Sequence, residues 1–495
     1  MELVNFGFLL YFLPIMLVGY YLFAFQKVRN VWLVLCGLAF YFLNGLASVA
    51  LVVVISMLNY LLGFAISRSL AASVESPHKT AKTARERAKS VAKALIRLSI
   101  FINVLPLFLF ILLPQILHDL PFGLRVDLPF SIIVPFGIAF LALQGISYTA
   151  DIYLGKVKWS ANIVNVLVYF TFFPAAFAGP IIKYHEIADQ LDNRQVTFDK
   201  IADGISRLVV GMAKLCIIAQ PLLSISSIIT ERSNLSGLYT GAPASLMLLG
   251  LLSSVIGMYH FFSGFSDVAI GIGKMLGFEI PENFDHPHLA TTMSAFWQRC
   301  YRSLTGWFDE YVYDVLAKKR SNNDQMVLHT LLMWLLLGIW TGPNLPHIIF
   351  GFWNFVFILF ERVVEMQEKK KKKLFRRIYI AIVVLVSVTA LNTTDMYEFT
   401  LYISNLFGMK GYGFRSDFAM RLLTENWWIL LVGFLTSFPI ATALKPSITA
   451  RNWFYRALYT LIYPAVMVLL VLLIVIRLSG ISYDPTQLFN TYLWS

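Results

Sequence analysis

The sequence predicts an all-α, polytopic integral membrane protein, and three observations carry that prediction. Of its 495 residues 58% are hydrophobic and only 14% are charged, and the mean hydropathy is +0.68, far from the composition of a soluble globular chain. Apolar runs recur at the length of about 20 residues that a membrane-crossing helix requires. The basic surplus, a net charge of +12, is gathered in short connections between those runs, as the positive-inside rule leads one to expect. In a soluble protein that charge would point to nucleic acid; here topology accounts for it, and no nucleic-acid partner is expected. Cys36, Cys216 and Cys300 are dispersed and too few for a disulfide framework or a zinc site.

Taken in order, the run Val4 to Phe25 follows Glu2 instead of a basic n-region and is long enough to span, so it reads as a retained helix and not as a cleaved leader. Lys27 and Arg29 mark a cytoplasmic turn, and runs 30–46 and 48–67 form a tight pair, closing an N-terminal transmembrane segment, 1–67. Arg68 to Lys93 holds seven Lys and Arg against two Glu and reads as a basic cytoplasmic linker, 68–93, able to touch anionic headgroups. With the N-terminus outside the cell, the parity of these turns agrees with the charge bias. The run 94–117 spans again, Pro121 to Leu128 is an outer connection, and 130–149 returns toward Lys156 and Lys158.

Phe172-Phe173-Pro174 and Ala178-Gly179-Pro180 interrupt the next apolar run. A broken helix, tolerated where protein or water covers the freed backbone, and a kinked ordinary span fit these residues equally. Lys183 to Leu208 has Ile187, Leu191, Phe198, Ile201 and Ile205 at helical spacing and reads as an interfacial helix. Lys318-Lys319-Arg320 and the run Lys369 to Lys373 with Arg376 and Arg377 both face the cytoplasm, which makes the segment between them a hairpin with arms 325–341 and 347–365. Arms of ~17 to 19 residues reach roughly 25 to 28 Å, so the turn Thr341 to Pro346 sits at or short of the outer face. The run 374–392 goes outward to an extracytoplasmic loop, 392–425, with an amphipathic piece, Tyr397 to Phe407. Spans 427–444 and 457–478 within a C-terminal transmembrane segment, 426–495, return the C-terminus outside. The total is about eleven or more helices in the inner or plasma membrane, with no internal repeat of the kind transporters show.

The stretch from Phe261 to Asn354 is where Asp, Glu, Asn, His, Arg and Trp crowd together, and polar residues enter the apolar segments themselves. Burying such groups in lipid is costly, so Ser263, Ser266, Asp267, Asn283, Trp297, Arg299, Tyr301, Trp340, Thr341 and Asn344 are expected to line a central polar cavity. Asp267 should be paired, with Lys274 at i+7 as the candidate, and an ion pair is favoured over catalysis for it. Asp309 and Glu310 are further carboxylates, and Arg299 and Arg302 could hold a phosphate or snorkel from helix ends. No HExxH, CxxC or tight His/Asp cluster other than His286 and His288 suggests a metal, and none is expected.

Six pieces carry a family resemblance: GISYTADIYLG, FFPAAFAGPIIKYHEIADQL, FSGFSDVAIGIGKMLGF, IPENFDHPHLATTMSAFWQR, LTGWFDEYVY and LGIW-x-G. In this order, from about Gly145 to Arg362, the chain resembles the membrane-bound O-acyltransferase (MBOAT) family, in the bacterial branch that O-acetylates alginate or transfers D-alanine toward teichoic acids. The resemblance implies a helical ring with broken or re-entrant helices around a central cavity, within a core at 94–391. It also implies transfer of a small acyl group from a cytoplasmic acyl-CoA or acyl carrier, with no bound cofactor, to a hydroxyl on an extracytoplasmic glycan. The expected partners are membrane lipid, an acyl carrier protein, and an extracytoplasmic acyl-transfer or envelope protein.

The chain departs from the family at the residues that matter most. Where the family has Trp-His-Gly, its general-base position, this chain has Trp340-Thr341-Gly342. A second family His falls on Tyr301 of Gln298-Arg299-Cys300-Tyr301, and a third on Asn354. Among the chain's own histidines, His78, His118 and His185 sit in connections as bystanders, His260 reads as a satisfied buried residue, and His286 and His288 as residues that fix loop geometry. His329 and His347 stand on the two arms of the hairpin. His347 follows Thr341 across Gly342, Pro343 and Pro346, whose bent backbone could bring its imidazole near the family position. Two classes follow: a catalytically silent relative that keeps the scaffold, and an active acyltransferase with a substitute base such as His347.

Overall fold

The computed structural model describes residues 4–72, 81–114, 134–235, 242–317, 323–364, 373–409, 413–439 and 453–480. Among these residues there is no strand, and eight helices are long and apolar enough to cross a membrane. The protein is an all-α, multi-pass membrane protein. Two more apolar helices, Phe8–Leu22 and Ile163–Ala175, are shorter, which leaves fewer full-length spans among the described residues than the eleven or more expected. The chain forms two compact units, Met1–Ile205 with Ala269–Pro281, and Ser206–Val268 with Glu282–Ser495. This division follows packing, whereas the five segments read from the sequence follow membrane parity.

In the first unit, a π turn at Phe8–Phe12 leads into α1 (Leu13–Leu22). Together they reach only ~22 Å, short of a bilayer core and of the span expected for Val4 to Phe25. At the far end of α1 the hydroxyls of Tyr20 and Tyr21 donate to the carbonyls of Leu276 and Met275, each at 2.7 Å. Next come α2 (Gln26–Leu43), α3 (Leu46–Ala72) and α4 (Ala81–Leu107). The helices thus enter the basic linker from both sides, because its Ala, Lys, Arg and Glu residues are good helix formers. The stretch 73–80, with His78, lies outside the described residues, as do His118 and the connection at 121–128. Pro106 removes a backbone donor near the end of α4, and a π turn, Phe108–Leu112, follows.

Helix α5 (Ile138–Tyr153) is buried from Ile138 to Ile152 because α3 and α4 pack against it. A polar ladder joins the three. Asn59 and Asn103 exchange carboxamide hydrogen bonds at 2.9 Å each way, Ser99 donates to Asn59 at 3.2 Å, and the Ser99 and Thr149 hydroxyls are hydrogen-bonded at 2.7 Å. Gly145 makes the approach possible, since a Cβ there would lie 1.9 Å from Asn103 Oδ1.

Helix α6 (Ile163–Phe170) starts at Asn162, whose side chain accepts from the Val164 N–H at 3.1 Å. It ends at the FFPAAFAGP stretch, which runs irregular and buried up to Tyr184, so the helix is broken and not a kinked span. The single interfacial helix expected over Lys183 to Leu208 is instead three helices: α7 (Tyr184–Ile187), α8 (Gln190–Asn193) and α9 (Phe198–Ala213). Ile187 and Leu191 are core residues, while Phe198 is 90% exposed. Between α8 and α9 the buried Arg194 donates to Tyr20 Oη at 2.9 Å and to Asn30 Oδ1 at 2.6 Å, and lies 4.3 Å over the Phe278 ring. Its burial lowers the guanidinium's pKa from the ordinary value.

In the second unit a π turn, Lys214–Ala219, continues α9 into α10 (Gln220–Leu235). The elements that follow are α11 (Ala244–Met275), α12 (Met293–Trp297), α13 (Arg302–Phe308), the hairpin α14 (Asn323–Thr341) and α15 (Leu345–Val363), then α16 (Lys373–Leu391) and α17 (Met396–Leu406). The last two are α18 (Asp417–Thr436) and α19 (Trp453–Gly480). The hairpin arms and α17 fall close to their expected places. Helix α18 begins earlier than the expected 427, because Ser416 caps it by accepting the Ala419 N–H at 3.2 Å. A core of Leu222, Met247, Leu251, Leu401, Tyr402 and Ile429 joins α10, α11, α17 and α18. The basic residues Lys318 to Arg320 and Lys369 to Lys372 lie outside the described residues.

Candidate functional site

The polar residues of the central stretch belong to the second unit and are buried in protein. Ser263, Ser266, Asp267, Asn283, Trp340, Thr341 and Asn344 are all below a tenth exposed. On α11, Asp267 accepts from Arg207 Nε at 2.6 Å and from Lys214 Nζ at 2.7 Å. Arg207 also holds Glu282 with both terminal nitrogens, one at 2.8 Å. The expected Lys274 is not the partner; it pairs with Asp203 at 3.9 Å. Seven residues along a helix are about 10.5 Å, beyond ion-pair reach. The cations come from α9 and its π turn, brought alongside α11 where a Cβ on Gly211 would lie 2.7 Å from the Gly264 carbonyl. Two cations and two carboxylates balance, which is the chemistry of an ion-pair brace.

Asn283 is a second hub. Its Nδ2 donates to Ser266 Oγ at 2.9 Å, while its Oδ1 accepts from the Ser303 N–H at 3.0 Å and from Ser303 Oγ at 2.8 Å. Tyr301 stands beside it with φ of 50°, in the left-handed region. Its ring lies between Phe262 at 5.5 Å and Phe284 at 5.8 Å. Burial raises the pKa of the Tyr301 phenol and pushes that of the neighbouring Cys300 thiol up to about 12. Both stay protonated at neutral pH. Arg299 is half-buried, and its carbonyl accepts from the Asp285 N–H at 2.9 Å.

Trp297 and Asn354 meet directly: the indole N–H donates to Asn354 Oδ1 at 2.9 Å. Asn354 Nδ2 in turn donates to the Phe350 carbonyl at 2.8 Å and to Ser387 Oγ at 3.3 Å. The buried Glu361 fastens the same loop to α15, accepting from the N–H groups of Met293 and Ser294 at the start of α12. Sequence reasoning did not single out Glu361; a carboxylate within an apolar helix was its one signal.

At the hairpin turn, the Thr341 hydroxyl donates to the Gly338 carbonyl of its own helix at 2.7 Å. The two arms approach through glycines, since a Cβ on Gly338 would lie 2.6 Å from the His347 carbonyl and one on Gly351 would lie 2.3 Å from the Trp334 carbonyl. His347 is 1% exposed and its ring packs on Gly342. His329 stands lower on α14, 6.4 Å from the Tyr313 ring.

His260 makes hydrogen bonds through both nitrogens, to the Ile256 carbonyl at 2.9 Å and Thr436 Oγ1 at 3.0 Å. His286 Nδ1 donates to the Ser437 carbonyl at 2.7 Å, and the His288 ring meets Phe438 at 4.5 Å. Burial, with His286 and Arg377 nearby, lowers the His288 pKa to about 4. His185, in the first unit, meets a buried carboxylate. Its backbone N–H and Nδ1 lie 2.9 and 3.0 Å from one oxygen of the fully buried Asp151, with Lys156 at 3.8 Å from the other. The two residues are 34 apart in sequence, and no local pattern joined them.

Residues 156–404 match the model of the MBOAT, membrane-bound O-acyltransferase, family. The chain is 30% identical over 357 residues to a probable alginate O-acetylase of Pseudomonas fluorescens, across 72% of this chain and 65% of that protein. Over 378 residues it is 26% identical to a peptidoglycan O-acetyltransferase of Helicobacter pylori, across 70% and 67% of the two chains. A teichoic acid D-alanyltransferase of Bacillus subtilis is 26% identical over 289 residues, across 55% and 69%. The match thus spans about 65% of the length of the alginate relative. With the six motifs in order on an all-α membrane scaffold and a family match over half its length, the chain belongs to the bacterial branch of the membrane-bound O-acyltransferase family.

Proposed function

We propose that the chain serves O-acylation of an exopolysaccharide or cell-envelope glycan as a scaffold or partner-binding relative that does not run the family's histidine chemistry. The relatives' names, alginate O-acetylase, peptidoglycan O-acetyltransferase and teichoic acid D-alanyltransferase, supply the substrate class. The observation that carries the non-catalytic reading is the Thr341 hydroxyl turned back onto Gly338 at 2.7 Å. Acyl transfer needs a base to take the acceptor hydroxyl's proton as its oxygen attacks the acyl carbonyl, and a threonine hydroxyl has no such basicity near pH 7. Asn354 is engaged by Trp297 and Ser387, and Tyr301 keeps its proton. The intact surrounding motifs support retention of the family's docking surfaces, for an acyl carrier protein on the cytoplasmic side of the plasma or inner membrane and an envelope acyl-transfer protein on the other.

One observation favours a second reading, an active O-acyltransferase drawing on acyl-CoA or an acyl carrier. The His347 imidazole lies on Gly342, beside Thr341, and could take the base's role. Ester-linked acyl groups released from envelope polysaccharide by mild alkali decide between the readings, measured with the protein, without it, and with His347→Ala. On the scaffold reading, loss of the protein lowers the acyl content and His347→Ala leaves it unchanged. A collapse of acyl content in His347→Ala, with the variant still folded in the membrane, would overturn it in favour of the second.

A further inference from the structure

We propose that the α3–α4 hairpin carries a docking ledge for a small acidic soluble protein. The observation is a row of charges. Arg85, Lys89, Lys93 and Arg97 recur every fourth residue on α4, and each is exposed. That spacing makes each the neighbour of the next, along a ridge that slants around the helix. Like charges so placed repel one another, and a face of this kind gains by meeting an anionic surface. Arg87 adds to the charge and Glu86 is the one acidic residue among them.

Two anionic surfaces could answer it, the lipid headgroups and a soluble protein, and the height of the row decides. A charge-free, mostly apolar stretch begins at Leu98, which puts Arg97 at the membrane interface. From Arg97 to Arg85 the helix rises about 18 Å along its axis. The headgroup layer of one leaflet is only about 5 to 8 Å deep. Arg97 and Lys93 therefore stand among headgroups, whereas Lys89 and Arg85, about 12 and 18 Å out, stand in water beyond them.

The partner helix extends the ledge. Bonds from Asn59 to Ser99 and Asn103 fix the register of α3 against α4, and counting outward from them brings the exposed Arg68 level with Lys93. The polar ladder that sets this register is buried, so the ledge is held by the membrane-embedded part of the hairpin. An acidic helix face of a soluble protein, with carboxylates at matching spacing, fits such a row.

The partner's identity rests on the scaffold reading above, but the test reads binding alone, so its failure is distinguishable from a failure of that reading. The full chain would be placed in nanodiscs of phosphatidylcholine, and in a second set containing phosphatidylglycerol, and titrated with a fluorescently labelled acyl carrier protein as the acidic probe. The expected result is binding in neutral discs that weakens as salt rises and falls about tenfold or more in Arg85→Glu/Lys89→Glu. The neutral pair Arg85→Gln/Lys89→Gln should show an intermediate loss, and thermal unfolding of both pairs, measured alongside, separates lost binding from lost fold. No binding, binding indifferent to the outer pair, or binding seen only with phosphatidylglycerol and abolished by Lys93→Glu/Arg97→Glu would each overturn the proposal. The last of these would assign the row to lipid.

Discussion

The imidazole of His347 rests on the backbone of Gly342: a Cβ at that glycine would lie 2.7 Å from the ring's Cδ2 and 2.8 Å from its Nε2. No side chain fits there without moving a ring that is 1% exposed. Gly342→Ala should therefore cost about 1 to 3 kcal/mol through overpacking. In detergent, thermal unfolding should show the loss, and His347→Ala in the same chain should restore part of it. Simple additivity of the two changes would mean that the contact carries no strain.

Asp267 separates a buried brace from a surface pair. Asp267→Asn leaves Arg207 and Lys214 facing a neutral group, and about 3 kcal/mol of stability should go with it. Lys274→Ala breaks only the pair with Asp203, whose carboxylate side chain is 75% exposed, and should cost less than ~1 kcal/mol. Chemical or thermal unfolding of the two variants side by side tests the assignment, and equal losses would contradict it.

His288 gives a dependence on pH with a definite sign. Its pKa falls from an ordinary 6.5 to about 4, so between these values the unfolded chain binds the proton and the folded chain does not. This contribution to stability is complete above pH 6.5 and is lost as pH drops toward 4. His286, Arg377, Tyr259 and Phe438 are the groups around it. Melting temperature followed from pH 7 to 4 should fall less steeply in His288→Gln than in the parent.

Thr341→His tests how far one residue accounts for the missing chemistry. A positioned general base is worth roughly 10² to 10⁴ in rate, yet Tyr301 and Asn354 also depart from the family pattern. The single change should leave acyl transfer undetected in a purified assay with an acyl thioester and a glycan acceptor. Robust transfer by the natural chain that persists in His347→Ala and in His329→Ala would point to a different base, and the Asp151–His185 pair would then be the first place to look.

Much of the architecture could be read from the chain because membrane helices announce themselves by length. The arms 325–341 and 347–365 fall close to α14 and α15, and Tyr397 to Phe407 is α17 displaced by one residue. Boundaries failed where a local device decided them, as with the Ser416 cap that starts α18 early. The candidate site was legible as a list of buried polar residues and illegible as a set of pairs. Asp267 finds Arg207 and Lys214 at sequence separations of 60 and 53, and no periodicity encodes a partner on another helix. Lys274 was the nearest cation in sequence, which is a poor guide once helices cross.

During synthesis, Asn59 leaves the ribosome 44 residues ahead of the Asn103 carboxamide that will satisfy it. Alone in lipid, α3 would leave the Asn59 carboxamide with the Ile55 carbonyl of its own helix but without a donor for its oxygen, at the depth where water is scarcest. Its release into the bilayer is therefore favoured only once α4 has arrived, and the two helices enter as one hairpin. Thr149 on α5 then closes the last hydroxyl, so the order of translation is also the order in which the membrane accepts this part of the chain.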